Sequence, residues 1–416
     1  MAYKPIRFMQ KPLLKALALL LLVWIVCTCV TPYTPELKGY ESLLVVEGVI
    51  TDEPVPCEVK LSRSIQNEDL VPEKITDATV YVSDEAGAKT YLVNHGNGSY
   101  LTDPSEFRGI IGKTYTLHII TSDDKEYISD PAVMLPVPEI ENIYYEKDAE
   151  VSSDQSEIQE GLRIYIDTGP GSEIDQYLRW EYEETWKFRL PDYTRYNYIH
   201  DSVILPIPDP TEYCWKEAKS SLVSTGYMAN GDDQIEKAPV CFIASDKSDR
   251  LTLQYSILIK QYSLSKEAYD FWNNLKQVNE SGGTIFDKQP YPVISNITNI
   301  NDPAEKVLGY FQVSASKQER KYITASELDE LKLPSFKYSC KRYQVSPDDY
   351  PPPFGLPPMT WDQLYEMFMS TGGLTFVEPI YDENKALVDL VFTETICSDC
   401  ELTGSAEKPD WWIDLI

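Results

Sequence analysis

From residue 42 to about residue 135, apolar and polar side chains alternate in short runs broken by turn residues. "SLLVVEGVITDE" is an apolar run closed by Thr51-Asp52-Glu53, and "CEVKLSRS" alternates with Val59 and Leu61 on one face. "ATVYVSDEAGAKTYLVNHGNGSYLT" reads as three strands reversing at Asp84 to Gly87 and at Asn97-Gly98. "GKTYTLHIITSDDKEYIS" reads as a further hairpin with Tyr115, Leu117 and Ile119 inward. A period of two marks a half-buried strand, and Gly or Asn pairs between such runs mark hairpin turns. Regular short strands of this kind predict a β-sandwich, immunoglobulin-like or prealbumin-like, over residues 42–137. His95 and His118 stand alone in it and read as surface or packing residues.

"PAVMLPVPEIENIYYE" follows, with three prolines that favour an extended linker. The second region, 138–416, predicts a larger, mainly antiparallel β domain carrying two short helices. "GLRIYIDTG" and "QYLRWEYEETWKFRL" are strands, the latter gathering Tyr177, Trp180, Tyr182 and Trp186, and "LTLQYSILIKQYSLS" carries the strongest strand signal. Next, Ala268, Phe271, Trp272, Leu275 and Val278 recur at helical spacing after Ser265, an N-cap type, which predicts a helix near 265–279. Phe271 and Trp272 are expected to dock it on the sheet. A proline-dense loop spans 347–358. After it, Thr360 and Gln363 form a capping-box pair and Gly372-Gly373 a stop, predicting a helix near 360–371.

The N-terminus follows a different pattern. Lys4, Arg7, Lys11 and Lys15 precede an apolar run from Ala16 to Val26, which is too short to cross a bilayer. That is the layout of a secretory signal peptide, expected over 1–28. The run ends in "LLVWIVCTCVTPYTPE", with cysteines at 27 and 29 and no small-x-small cleavage site. Trp24, Ile25 and Val26 before Cys27 are bulky, whereas Val26, Cys27 and Thr28 come closer to a lipoprotein signal. Cys29 is therefore the expected acylated first residue, followed by a tether over 29–41. An uncleaved anchor and a plain signal peptide are the alternatives.

Composition narrows the partners. The chain has 66 acidic and 37 basic residues, a net charge of −29, and four of its cations lie in the leader. Such a surface repels nucleic acid. Tyrosine is abundant, 29 against 3 histidines, which suits sheet more than histidine-based catalysis. Six cysteines follow Cys29: Cys57, Cys214, Cys241, Cys340, Cys397 and Cys400. In an exported chain they suggest disulfides, and Cys397-Ser398-Asp399-Cys400 is read as a structural disulfide ahead of a zinc half-site or free thiols. No GxSxG, HExxH, phosphate-binding or dinucleotide motif stands in the sequence, so no catalytic residue, metal or cofactor is expected. Glu183-Glu184, Asp232-Asp233 and Asp348-Asp349 are read as solvated turns, and "NGDDQIE" lacks the alternation of a calcium loop.

The order of several stretches carries a resemblance. A lipoprotein cysteine before "VTPY", then "LLVVEGVITDE", "VKLSRS", "GTIFDKQPYPVISNITN", "VLGYFQVSA", "CSDC" and "KPDWW", resembles a Bacteroidota lipoprotein family, domain of unknown function 4249. The resemblance implies an outer-membrane lipoprotein, often encoded beside a TonB-dependent transporter, and it supplies no catalytic residues. The expected function is a non-enzymatic accessory or substrate-binding partner of that β-barrel transporter, held to the membrane by its lipid. A structural or adhesive envelope protein is the alternative, and a carboxylate-based hydrolase a more distant one. Trp186, Tyr193, Tyr196, Tyr198 and Phe354 are the candidate contacts, because exposed aromatics give large contact area at low entropic cost.

Overall fold

The computed structural model describes residues 42–65, 71–152, 157–171, 174–200, 203–220, 223–229, 234–280, 293–354 and 356–415. The leader, Cys29, the tether and Asp232-Asp233 lie outside the described residues. Residues Leu43–Ser64 and Pro72–Ile416 form one compact unit.

The alternating N-terminal runs form β1 (Leu44–Thr51), β2 (Glu58–Arg63), β3 (Thr79–Asp84), β4 (Lys89–Asn94), β5 (Ser99–Leu101), β6 (Thr114–Ile120), β7 (Glu126–Ser129) and β8 (Ala132–Val133). Their apolar positions face one core: Leu44, Val46, Val59, Leu61, Leu117 and Ile119 are at most 1 % exposed. Asn97 and Gly98 take positive φ, 51° and 73°, as the predicted reversal requires.

The second region opens with β9 (Ile140–Val151), β10 (Ile158–Thr168), β11 (Gln176–Arg189), β12 (Tyr196–His200), β13 (Val203–Pro206), β14 (Tyr213–Lys219), β15 (Ser224–Met228), β16 (Ala238–Ala244) and β17 (Gln254–Leu264). Helix α1 (Lys266–Glu280) follows at the predicted place, with Ser265 Oγ accepting from Ala268 N–H at 3.2 Å. Then come β18 (Ile297–Asn299), β19 (Val307–Ser314), β20 (Ser316–Ile323), α2 (Ala325–Glu330), β21 (Arg342–Val345), α3 (Trp361–Met369), β22 (Leu374–Tyr381) and β23 (Leu387–Glu394). Helix α3 starts from the Thr360–Gln363 capping box. Helix α2 was not expected; its Thr324–Glu327 capping box has the same chemistry.

The first sheet runs β18-β7-β6-β3-β4-β5-β2-β1-β19, with β8 also on β6. It therefore takes two strands from beyond residue 290, in addition to the 42–137 segment. β19 lies parallel to β1, and only a glycine permits it: Gly309 has φ +88°, and a Cβ there would sit 2.0 Å from the Val46 carbonyl oxygen. A side-chain amide links the two ends of the sheet. Asn296, just before β18, donates from Nδ2 to Phe311 O at 2.8 Å and accepts from Phe311 N–H at 2.9 Å. Its amide stands in for the missing strand partner of β19.

β19 runs on through Ala315 into β20, so one length of chain belongs to two sheets. The second sheet is β14-β11-β17-β20, with β15 on β11, and it shares a core with β16-β10-β9. Helix α1 docks where the sheets meet. Arg179 of β11, 4 % exposed, lies 3.8 Å from the Trp272 ring and donates from Nη1 to Gln312 Oε1 at 2.7 Å. Trp272 Nε1 donates to the same oxygen at 2.8 Å. Burial lowers the Arg179 guanidinium to about 10. Phe271 packs on Tyr310 and Leu264, so both aromatics serve docking as expected. A last lobe joins the hairpin β12–β13, the sheet β21-β23-β22 and α3 around Phe376, Phe392, Leu390 and Leu364.

Candidate functional site

The five aromatics expected as one contact patch are placed apart. Trp186 is a core residue, 5 % exposed, because an acceptor is supplied for its indole: Nε1 donates to Asp249 Oδ1 at 2.9 Å. Tyr193 is half-buried beside Arg189 and Arg195. Tyr196 and Tyr198 face the lobe's core from the hairpin; Tyr198 stacks on Tyr365 at 4.2 Å and donates to Asp362 Oδ1 at 2.6 Å. Phe354 alone is fully exposed, at 109 % of its reference area, with Leu356 at 61 % beside it. Trp180, Tyr182 and Trp186 share one face of β11, but Tyr177 faces the other way, against Tyr227 and Tyr269. An odd position cannot share a face with even ones in a strand.

Trp186 opens onto a buried polar network. Asp249, in a 3-10 turn before β17, also accepts from Lys216 Nζ at 2.6 Å and Tyr338 OH at 2.7 Å. Glu184 accepts from Tyr255 OH at 2.7 Å and pairs with Arg250 Nε at 3.3 Å, while Arg250 lies 4.7 Å from the Trp186 ring centre. Burial and the neighbouring carboxylates raise the Tyr255 and Tyr338 hydroxyls, and burial raises the Cys241 thiol. These groups hold their protons at neutral pH. The network satisfies each buried charge with an opposite one and with neutral donors, as burial of charge requires.

The acidic pairs differ from the expected solvated turns. Glu183 and Glu184 sit in mid-strand on opposite faces of β11, Glu183 pairing Lys260 at 2.8 Å and Lys219 at 3.6 Å. Asp348 and Asp349 do lie in one turn, where Asp349 Oδ2 accepts from Ser346 N–H at 2.7 Å.

The C-x-x-C segment is oxidised, but not within itself. Cys400 bonds Cys214 of β14, with Cα atoms 5.8 Å apart, and Cys397 bonds Cys340 before β21, with Cα atoms 6.1 Å apart. Consecutive 3-10 turns, Thr395–Cys397 and Cys400–Leu402, turn the two thiols toward different elements. The bridges fasten one segment to both the second sheet and the lobe. Cys57 and Cys241 are buried free thiols. Beyond the bridges the chain forms a strap, with Trp215 and Ser405 exchanging backbone hydrogen bonds of 2.9 and 2.8 Å. The strap then crosses the sheet to Trp411, which stacks with Arg320, and to Asp414, which binds Lys187 and Lys408 at 2.9 and 2.8 Å. Those two ammonium groups hold the Asp414 carboxyl down to about 2.

One comparison decides the relationship. The family model described as "Domain of unknown function (DUF4249)" matches residues 30–320. The chain belongs to this family. No curated protein matches it. The family region covers the first and second sheets through most of β20 and the β12–β13 hairpin of the lobe, while the C-x-x-C segment, the rest of the lobe and Phe354 lie beyond residue 320. Within the DUF4249 region, sequence reading missed Asp249 and Arg250 as partners of Trp186, and Lys216 as the cation on Asp249. A buried tryptophan needs an acceptor, but nothing local announces an aspartate 63 positions on. Among the described residues no group of His, Cys, Asp and Glu has the geometry to hold a metal ion.

Proposed function

We propose that this DUF4249 protein is an exported envelope protein, lipid-anchored at Cys29, that acts by binding as an accessory or substrate-binding partner of an outer-membrane TonB-dependent transporter. Phe354 carries the reading. A phenyl ring fully in water, with exposed Leu356 close by in sequence, on a loop braced by Pro351, Pro352 and Pro353, offers a partner apolar area whose burial is favourable. The stiff loop limits the entropy lost on binding. Two disulfides suit the oxidising compartment to which the leader would deliver the chain, and the lobe they fasten gives Phe354 a rigid mount. The test has two parts. Mass spectrometry of the membrane-extracted protein should show Cys29 as its N-terminus, carrying acyl chains, and Cys29→Ala should leave the membrane fraction. Capture in mild detergent should then co-purify a β-barrel transporter in near-stoichiometric amount; a membrane-bound protein captured alone would refute the partnership.

A structural or adhesive role has one observation in its favour. The outward face of the β12–β13 hairpin presents Ile199, Val203 and Leu205, 51, 40 and 52 % exposed. Association of the purified protein with itself, abolished by Leu205→Ser, would support that role.

A further inference from the structure

We propose that the outer edge of β14 receives an extended, basic peptide segment of a partner, which adds to the second sheet as one more strand. β14 is an edge strand, paired on one side with β11. Among the described residues its other side meets Ser405 of the strap at Trp215 and Cys400 Sγ, 3.9 Å from the Tyr213 carbonyl oxygen, leaving the stretch from Glu217 onward without a strand partner. Backbone groups alternate sides along an antiparallel strand. Because Trp215 N–H and C=O point outward to Ser405, those of Glu217 point outward too. The strap does not follow: Glu407 N–H turns back to Ser405 Oγ at 3.0 Å. At that divergence lies a cleft of about 740 Å3 that wraps the strand edge, with Trp215 and Glu217 from one face of β14 and Lys216 and Ala218 from the other.

Two further observations favour a peptide there. The indole N–H of Trp215, a residue that lines this cleft, is buried and without an acceptor among the described residues, although buried donors are almost always paired. The charges at the cleft are unbalanced. Lys216 and Arg250 are neutralised by Asp249 and Glu184, Lys408 shares Asp414 with Lys187, and Arg320 feels the Glu217 charge without pairing with it. Glu217 and, on the strap, Glu407 and Asp410 make no ion pair among the described residues. Main-chain bonds to Glu217 would give affinity, and the acidic rim would select lysine or arginine, the usual division of labour in strand addition. The rings of Trp186 and Trp215 already face Arg250 and Lys187, so stacking of a flat ligand is not what this cleft offers. The proposal stands independently of the lipid anchor and the transporter.

The test uses the intact protein in detergent and two capped probes, acetyl-Lys-Val-Lys-Val-Lys-amide and its glutamate counterpart, with calorimetry as the readout. The lysine probe should bind and the glutamate probe should not. Glu217→Pro removes the outward N–H and leaves the β11 ladder intact, since proline is tolerated at an edge. It should weaken binding at least about tenfold, from the lost main-chain bond and the blocking ring. Glu217→Gln keeps the N–H and should weaken binding only about two- to threefold, the scale of an exposed charge pair. If Glu217→Pro does not fold, amide hydrogen exchange at residue 217 of the unaltered protein decides, slowed by the lysine probe if the proposal holds. Equal binding of both probes, no binding, unchanged affinity in Glu217→Pro, or unchanged exchange would overturn it. So would a dimer that Glu217→Pro dissociates, which would give the edge to a second copy of the chain.

Discussion

Replacing Cys340 and Cys397 together by alanine should loosen the lobe that carries Phe354. The bridge closes a loop of 57 residues. In the chain-entropy description that closure is worth about 4 kcal/mol at 25 °C, through the freedom it removes from the unfolded chain. With it closed, the Cys214–Cys400 bridge encloses roughly 130 residues, since the path crosses from 340 to 397, and is worth about 5 kcal/mol. Measured values usually fall below such figures, so a loss of about 2–4 kcal/mol is expected for the Cys340/Cys397 variant. The lobe cannot readily absorb it, because its core is small, centred on the buried side chains of Val345, Leu364, Phe376, Leu390 and Phe392. Urea unfolding followed by tryptophan fluorescence, Trp361 being on α3, should show an early transition for the lobe in the variant. Mass mapping of unreduced peptides should recover 214–400 and 340–397 links. A destabilisation under about 1 kcal/mol would refute the argument that the staple fixes the lobe, and a 397–400 link would refute the pairing itself.

Other substitutions probe other joints. Asn296→Ala leaves Phe311 N–H and C=O without partners in a buried position, which should cost roughly 2–4 kcal/mol in urea titration. Thr360→Ala removes the cap of α3 and should lower stability by about 1 kcal/mol, with faster amide exchange in the first turn. Tyr310 gives a pH dependence. Burial raises its hydroxyl to about 12, so the folded state holds a proton that the unfolded state releases above pH 10. Its contribution is complete below pH 10 and is lost between 10 and 12, up to roughly 3 kcal/mol. Tyr310→Phe should flatten that decline in urea midpoints measured from pH 9 to 11.5.

Local chemistry was readable in the sequence wherever it was decided locally. The alternation of β2 and β6, the Asn97-Gly98 reversal, the Ser265 cap and the Thr360–Gln363 box each follow from neighbours within a few residues. Thr324–Glu327 was equally readable and was passed over, so α2 was missed. What escaped depends on distant chain. Nothing near β1 announces that Val307–Ser314 will lie parallel to it, and Gly309 reads as an ordinary glycine until its φ is known. A C-x-x-C suggests a local bridge; here Cys214 and Cys340, brought up by β14 and the lobe, take the two sulfurs instead. Trp186 looked like a contact residue because tryptophan is large and amphipathic. Its burial turns on Asp249, a residue that nothing in the sequence marks as its partner.

The most direct test of the central reading is a comparison of two captures from solubilised outer membrane, one with the native protein and one with Phe354→Ser. Residue 354 touches no core, so the variant should fold and anchor as the native protein does. The account predicts a β-barrel transporter in near-stoichiometric amount with the native protein and at least about a tenfold loss with the variant, the order of an aromatic hot spot. Equal recovery of the transporter with both, or none with either, would contradict it.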